Sequence, residues 1–265
     1  MKRCQRLDRY HEVYIIELND RSAGGLRLKN DDGQETRERI INASIQLFSQ
    51  KGYDATTTGE IASMAGVTKG LIYYYFTSKE EILNFLVDSL MKDATTIAMD
   101  FVHTGIVQMI RDGKLDIETD RLRFIDGGAI RDFSRKVIDY YERALDFVLE
   151  KRAVIRILML ESLKDSKHHN DLFRLMELTG DGEDNPVFKT IYEADRDFTY
   201  SGDMSVFKFF FSIVPLINFA AHYEEYKVIS SMSDRELKDS FLRSFKIIFA
   251  SLVSGSEILL RNDKT

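Results

Sequence analysis

Residues 57–79 read Thr-Thr-Gly-Glu-Ile-Ala-Ser-Met-Ala-Gly-Val-Thr-Lys-Gly-Leu-Ile-Tyr-Tyr-Tyr-Phe-Thr-Ser-Lys. Their hydroxyls, ammonium groups and phenols can donate hydrogen bonds to phosphate oxygens and base edges, which is recognition chemistry rather than bond-making. A helix-turn-helix needs a small residue where its helices touch, a turn residue that tolerates unusual dihedrals, and short side chains at the front of the second helix. Ala62, Gly66 and the run Thr68-Lys69-Gly70 supply these three features. Lys69 and Tyr73, four residues apart, then project from one helical face. Many small helical hairpins share this pattern, so the residues alone leave DNA binding and a plain interaction module both open.

The elements that would hold this stretch are helices with clear ends. From Glu35, the residues Ile40, Ile41, Ala43, Ile45, Leu47 and Phe48 recur at helical spacing, and Gly52 stands where such a helix stops. Thr57 with Glu60 forms a capping box that opens a short second helix with Ile61, Ala62 and Ala65 on one side. Gly66 ends it, Val67 is the buried pivot of the turn, and Thr68 caps a third helix carrying Leu71, Ile72 and Phe76. Ser78 with Glu81 opens a longer fourth helix on Ile82, Leu83, Leu86 and Leu90.

Beyond it the chain keeps reading as helix, with breaks at Asp112-Gly113, Asp126-Gly127-Gly128, Thr179-Gly180-Asp181-Gly182 and Ser201-Gly202. No sustained alternation of period two occurs, so the expected class is all-α, with helices near 130–150, 151–163, 168–179 and 186–197. Residues 203–229 are apolar nearly all round, which implies burial on several sides, and Pro215 should kink them. Their phenylalanines, Phe207, Phe209, Phe210 and Phe211, read as core, with Phe207, Phe210 and Phe211 as candidates to line a ligand cavity. A last helix opens at a capping box of Ser233 and Glu236 and repeats Phe241, Phe245, Ile248, Leu252, Gly255 and Leu259 at spacings of four and three. A second row, Leu242, Phe249 and Val253, widens this surface beyond what one partner helix covers, so those six seam residues are the candidate dimerisation set.

The formal net charge of −6 sits in the body. Residues 1–34 carry seven Lys/Arg against six Asp/Glu, residues 35–80 carry five against five, and residues 81–265 carry the remaining −7. A neutral reading head suffices for specific DNA binding, because a few placed cations and helix N-termini do that work. Residues 1–34 read as a weakly structured extension or as a basic arm carrying Lys2, Arg3, Arg6 and Arg9. The single cysteine, Cys4, cannot pair within the chain, and no apolar run reaches the roughly 20 residues of a membrane span. The expected compartment is therefore the cytoplasm, with no membrane partner. No Gly-rich phosphate loop, Ser/His/Asp or Cys/His set, or spaced metal-ligand set is present to support an enzyme, a metal or a cofactor. His168 and His169 with Asp171 do not change this, because adjacent helical residues diverge by about 100°.

The stretch from Arg39 to Leu86 resembles the DNA-binding domain of the TetR family of transcriptional regulators. The likeness rests on Leu47-Phe48, Lys51-Gly52-Tyr53, Thr57-Thr58, Ile61-Ala62, Ala65-Gly66-Val67, Lys69-Gly70-Leu71-Ile72-Tyr73-Tyr74-Tyr75-Phe76 and Ser78-Lys79-Glu80, and it covers about a fifth of the chain. It implies a three-helix head (residues 35–80) and a larger helical regulatory and dimerisation domain (residues 81–265). It further implies a homodimer on a pseudo-palindromic operator in double-stranded DNA, acting as a repressor released by a small-molecule effector. Carried over by position, Thr58 would hold phosphate at the start of the second helix, and Thr68 and Lys69 would front the recognition helix. Gly70 would let the backbone approach the groove, Tyr73 and Tyr74 would meet phosphate or a thymine methyl, and Lys79 would take another phosphate. Gly59 departs from the pattern, standing where a polar base-contacting side chain is common, so this helix is expected to read fewer bases.

Overall fold

The computed structural model describes residues 27–118, 121–180, 184–199 and 202–254. The expected basic arm at Lys2 to Arg9, and Gly255 and Leu259 of the last seam, lie outside the described residues.

Three helices make the head: α1 (Arg27–Lys51), α2 (Thr58–Ala65) and α3 (Lys69–Tyr75). The first starts at Arg27 rather than at Glu35, so that the polar Asn30-Asp31-Asp32-Gly33 run lies within the helix. Gly52 closes α1 at φ 88°, and Gly66 closes α2 at φ 66°, where its N–H reaches the carbonyls of Ala62 and Ser63. Both conformations are strained for a residue with a Cβ, so these glycines fix where the helices stop. Thr57 accepts from the Glu60 N–H while the Glu60 carboxylate accepts from the Thr57 N–H at 2.8 Å, which completes the capping box. Thr68 and Ser78 cap the next two helices through the N–H groups of Leu71 and Glu81, at 3.3 and 3.1 Å. Each such cap stabilises a short helix by about 1 kcal/mol.

Glu60 also pairs with Lys51 across the head. The Lys51 ammonium first, and the Thr57 backbone N–H next, pull its carboxyl from 4.5 down to about 2. A depressed acid stabilises the fold above its unfolded value and loses that contribution as pH falls through the folded one. The melting-temperature difference between wild type and Glu60→Gln is therefore expected to be constant above pH 5 and to shrink steadily between about pH 4.5 and 2. A difference that stays flat across that window would refute the pairing.

The long helix α4 (Lys79–Phe101) leaves the head, loosens into a π-helical turn at Val102–Val107, and ends as α5 (Gln108–Arg111). A Cβ on the buried Gly105 would lie 2.7 Å from the Phe101 ring, so the glycine makes room for that ring, which stacks on Tyr140 at 4.7 Å. A two-stranded antiparallel hairpin follows, β1 (Leu115–Glu118) and β2 (Arg121–Phe124), with Leu115 opposite Phe124 and Ile117 opposite Leu122. It is the one sheet among the described residues of an otherwise helical chain, so the all-α class holds. Leu115 is buried with Met109, Ala129 and Phe133, and Ile117 with Val102, Val107, Val187 and Ile191; the Asp195 carboxylate accepts from the Ile117 N–H at 3.0 Å, so the edge of a very short sheet is satisfied by a side chain.

The rest of the body is α6 (Gly127–Glu150), α7 (Arg152–Ser162), a 3-10 stretch (Leu172–Thr179), α8 (Pro186–Ala194), α9 (Gly202–Phe207), a second π-helical turn (Lys208–Ile213), α10 (Val214–Ala221), α11 (Tyr223–Ser230) and α12 (Asp234–Ser254). Pro215, expected to kink the 203–229 segment, stands near the start of α10 just after the π-helical turn, where its missing N–H is harmless. The sharp bend, 73°, falls instead between Ala221 and Tyr223. Among the described residues no single helix is long and apolar enough to cross a membrane.

One apolar cluster runs through head and body without a break. It joins Ile40, Phe48, Ile61 and Ile72 of the head and Ile82 of α4 to Leu145, Ile155, Ile157 and Leu158 of α6 and α7, all nearly inaccessible to solvent. Burying each such side chain contributes about 1.5–3 kcal/mol before entropy is charged against it. The head is thus seated on the body through α1, which packs along α7.

Candidate nucleic-acid interface

Helices α2 and α3 touch through small and branched residues. Ile61, Ala62, Ala65 and Ile72 are buried, and Phe76 closes the far side. Fixing those positions turns the intervening ones outward. Gly59, Thr68, Lys69, Gly70, Tyr73 and Tyr74 are exposed and Thr58 is half-buried, with Tyr74 at 79% the most open ring of the head. The Thr58 hydroxyl lies 3.4 Å from the Tyr73 hydroxyl, so the start of α2 and the middle of α3 form one polar surface. Tyr75 turns back instead, meeting Tyr74 edge-on at 5.0 Å, with its hydroxyl beside Gly33 of α1.

Two glycines on this surface have no internal reason to be glycine. A Cβ on Gly59 would meet nothing nearer than 3.8 Å, and one on Gly70 nothing nearer than 4.0 Å. Neither has a positive φ.

Lys79 has a different job from the phosphate contact expected of it. Its ammonium donates to the carbonyls of Tyr53 and Thr56 at 2.7 and 2.9 Å and lies 4.1 Å from the centre of the Tyr53 ring. Burial pushes its pKa below the ordinary lysine value, while Asp54 and Glu161 oppose that shift. The lysine thus pins the α1–α2 turn to the first turn of α4, and its donors are spent inside the protein. Lys69 makes no ion pair among the described residues and faces solvent.

In α12, Phe241 and Phe245 of the proposed dimer seam face the chain's own body. Phe245 stacks on Tyr141 of α6 with centroids 3.3 Å apart, and Phe241 stacks on Phe219 of α10 at 4.2 Å. Ile248 looks outward at 51% exposure beside Ile247 at 70%. Val228 and Ile229 at the end of α11 are more exposed still, at 78% and 81%. Leu252 lies in the final turns of α12.

Of the candidate ligand residues, Phe207 and Phe211 stack on each other at 5.6 Å, and Phe210 and Phe211 are exposed. It is Phe209 that is buried. The apolar cavity of the body lies elsewhere, between α4, α6, α7, the 3-10 stretch and α10, with a volume of about 70 Å³. His168 and His169 bond different partners, the Asp171 carboxylate at 2.9 Å and the Ser166 carbonyl at 2.5 Å, so they do not converge on one point.

Residues 40–85 match the model of bacterial regulatory proteins of the tetR family. This stretch of the chain, its helix-turn-helix head, is therefore of the tetR type. The HTH-type transcriptional regulator TtgR of Pseudomonas putida is 30% identical over 127 residues, which are 48% of this chain and 55% of that protein. The HTH-type transcriptional regulator AcrR of Shigella flexneri is 43% identical over 58 residues, 22% of this chain and 27% of that protein. The match to these curated relatives therefore spans about half of their length or less and centres on the TetR-type head. A Clostridium perfringens protein described as a regulator of fatty acid metabolism has the same fold, with a TM-score of 0.51 at 20% identity over 79% of this chain and 97% of that one. That likeness is one of fold, and it takes in the body as well as the head.

Proposed function

We propose that this chain is a TetR-type transcriptional regulator that binds a pseudo-palindromic operator as a homodimer and represses by occupying it. The observation that carries the reading is the single exposed surface of Thr58, Thr68, Lys69, Gly70, Tyr73 and Tyr74, built on a buried and well-capped scaffold and offering donors but no reactive group. Two copies would present two such surfaces to successive major grooves, about 34 Å apart, or to bent DNA. Ile247 and Ile248 of α12, and Val228 and Ile229 at the end of α11, are exposed apolar side chains that a second copy would cover. Release by an apolar effector is the further part of the reading, and the body cavity supports it in chemistry though not in size. At about 70 Å³ it holds no more than a few waters, so an effector would enter only by parting the walls.

The test is selection of genomic fragments on the purified protein, followed by titration of the winning fragment at several salt concentrations. Binding with an inverted repeat in the selected sequence and a steep salt dependence is the expected result. No enrichment, with no salt-dependent shift, would leave a helical interaction module as the better description.

A further inference from the structure

Besides the packing of α1 along α7, the body reaches the head through a short segment, residues 163–171, between α7 and the 3-10 stretch. Its root is Glu161, a carboxylate with no solvent exposure, bonded to the Lys164 ammonium at 2.6 Å. Lys164 also reaches Asp54 at 3.4 Å, beside Gly52 at the end of α1. Lys167 pairs with Glu80 in the first turn of α4. His168, held by Asp171, sets its ring edge-to-face on Tyr53 with centroids 5.0 Å apart, on a ring already gripped by Lys79. Burial, then the carboxylates of Glu80, Asp54 and Glu161, push the Tyr53 hydroxyl up to about 12, so Tyr53 stays neutral in this contact.

The elements that flank the segment, α7 and the 3-10 stretch, both contribute to the lining of the apolar cavity, α7 through Ile155 and the 3-10 stretch through Leu175 and Leu178. A change in the separation of those elements would pull on the segment that holds the head's α1–α2 turn. We propose that residues 163–171 act as a clasp that transmits the state of the cavity to the head, with Lys164, Lys167 and His168 as its grip. A packed interior deforms between discrete arrangements rather than continuously, which lets a small wall displacement become release of the clasp. The proposal rests on the reading of the head as an operator binder for its functional consequence, but not for its structural one.

The experiment replaces an unknown effector by a side chain. Ala144→Phe adds a ring to a cavity too small for it, forcing the walls apart, and Ala94→Leu is the milder version if the first does not fold. The clasp is removed by Glu161→Gln with Lys164→Met, Lys167→Met and His168→Leu, which takes away the buried carboxylate together with its cation. His168→Leu alone is the fallback. Hydrogen exchange at residues 53–57 and operator affinity are read in all four combinations. With the clasp intact, the overpacked cavity is expected to speed exchange at residues 53–57 at least tenfold and to weaken operator binding about tenfold. Without the clasp, the same overpacking should change both by less than twofold. Equal effects in both backgrounds, or faster exchange confined to the cavity walls, would overturn the clasp. If wild type binds no operator, the operator reading fails while the exchange arm still decides this one.

Discussion

Aspartate at Ile247 and Ile248 together is expected to convert the protein from dimer to monomer and to weaken operator binding by about 10²- to 10⁴-fold. The reasoning starts from exposure. Both side chains stand open on α12, and a buried interface cannot accept two unpaired carboxylates on each copy. A dimer holds two half-sites at once, so the second contact is made at high effective concentration. Losing it removes that gain without touching the recognition helix. Phe245→Asp is the informative contrast, because Phe245 stacks on Tyr141 within its own subunit and its loss should lower the melting temperature rather than the mass. Sedimentation of wild type and both variants at micromolar concentration separates the outcomes. A wild type that sediments as monomer, or an aspartate pair that leaves the dimer intact, would remove this surface from the interface.

The head was legible in the sequence because its signals are local. Thr57 with Glu60, Gly66, Thr68 and Ser78 act on backbone groups within four residues of themselves, so their types and spacing announce the caps and turns that the structure contains. The seam of α12 was legible as an apolar face, but the spacing of Phe241, Phe245 and Ile248 could not say which of them a neighbouring helix of the same chain would cover. Tyr141 and Phe219, about a hundred and about twenty residues upstream, decide that. The hairpin carries an alternating pattern in Leu115-Asp116-Ile117-Glu118, but four residues do not outweigh a helical surrounding. The clasp was hidden for the opposite reason to the caps. Lys164 and Asp54 are 110 residues apart, and a glutamate in the last turn of an amphipathic helix gives no sign that Glu161 will be buried with a lysine over it.

The same distinction between local and distant partners decides what three substitutions in the head should do to DNA binding. Lys69 is exposed at the front of α3, so Lys69→Ala is expected to cost about 1–3 kcal/mol per half-site if its ammonium reads guanine acceptors, with preference relaxed at one symmetric base pair. If it holds phosphate instead, all sequences weaken alike and the salt slope flattens by about one unit per contact. Tyr73→Phe removes only the hydroxyl that lies beside Thr58, and a loss on the order of 1 kcal/mol follows where that group bonds phosphate. Lys79 serves as the internal control, since its ammonium is already committed to the carbonyls of Tyr53 and Thr56. Lys79→Met should therefore lower the melting temperature, by freeing the α1–α2 turn, and leave the salt slope of operator binding at the wild-type value. The measurement is an operator titration at several salt concentrations for wild type and each variant, beside a thermal melt. A flattened slope in Lys79→Met would return that lysine to the DNA surface, and unchanged affinity in both Lys69→Ala and Tyr73→Phe would mean that α3 does not face DNA.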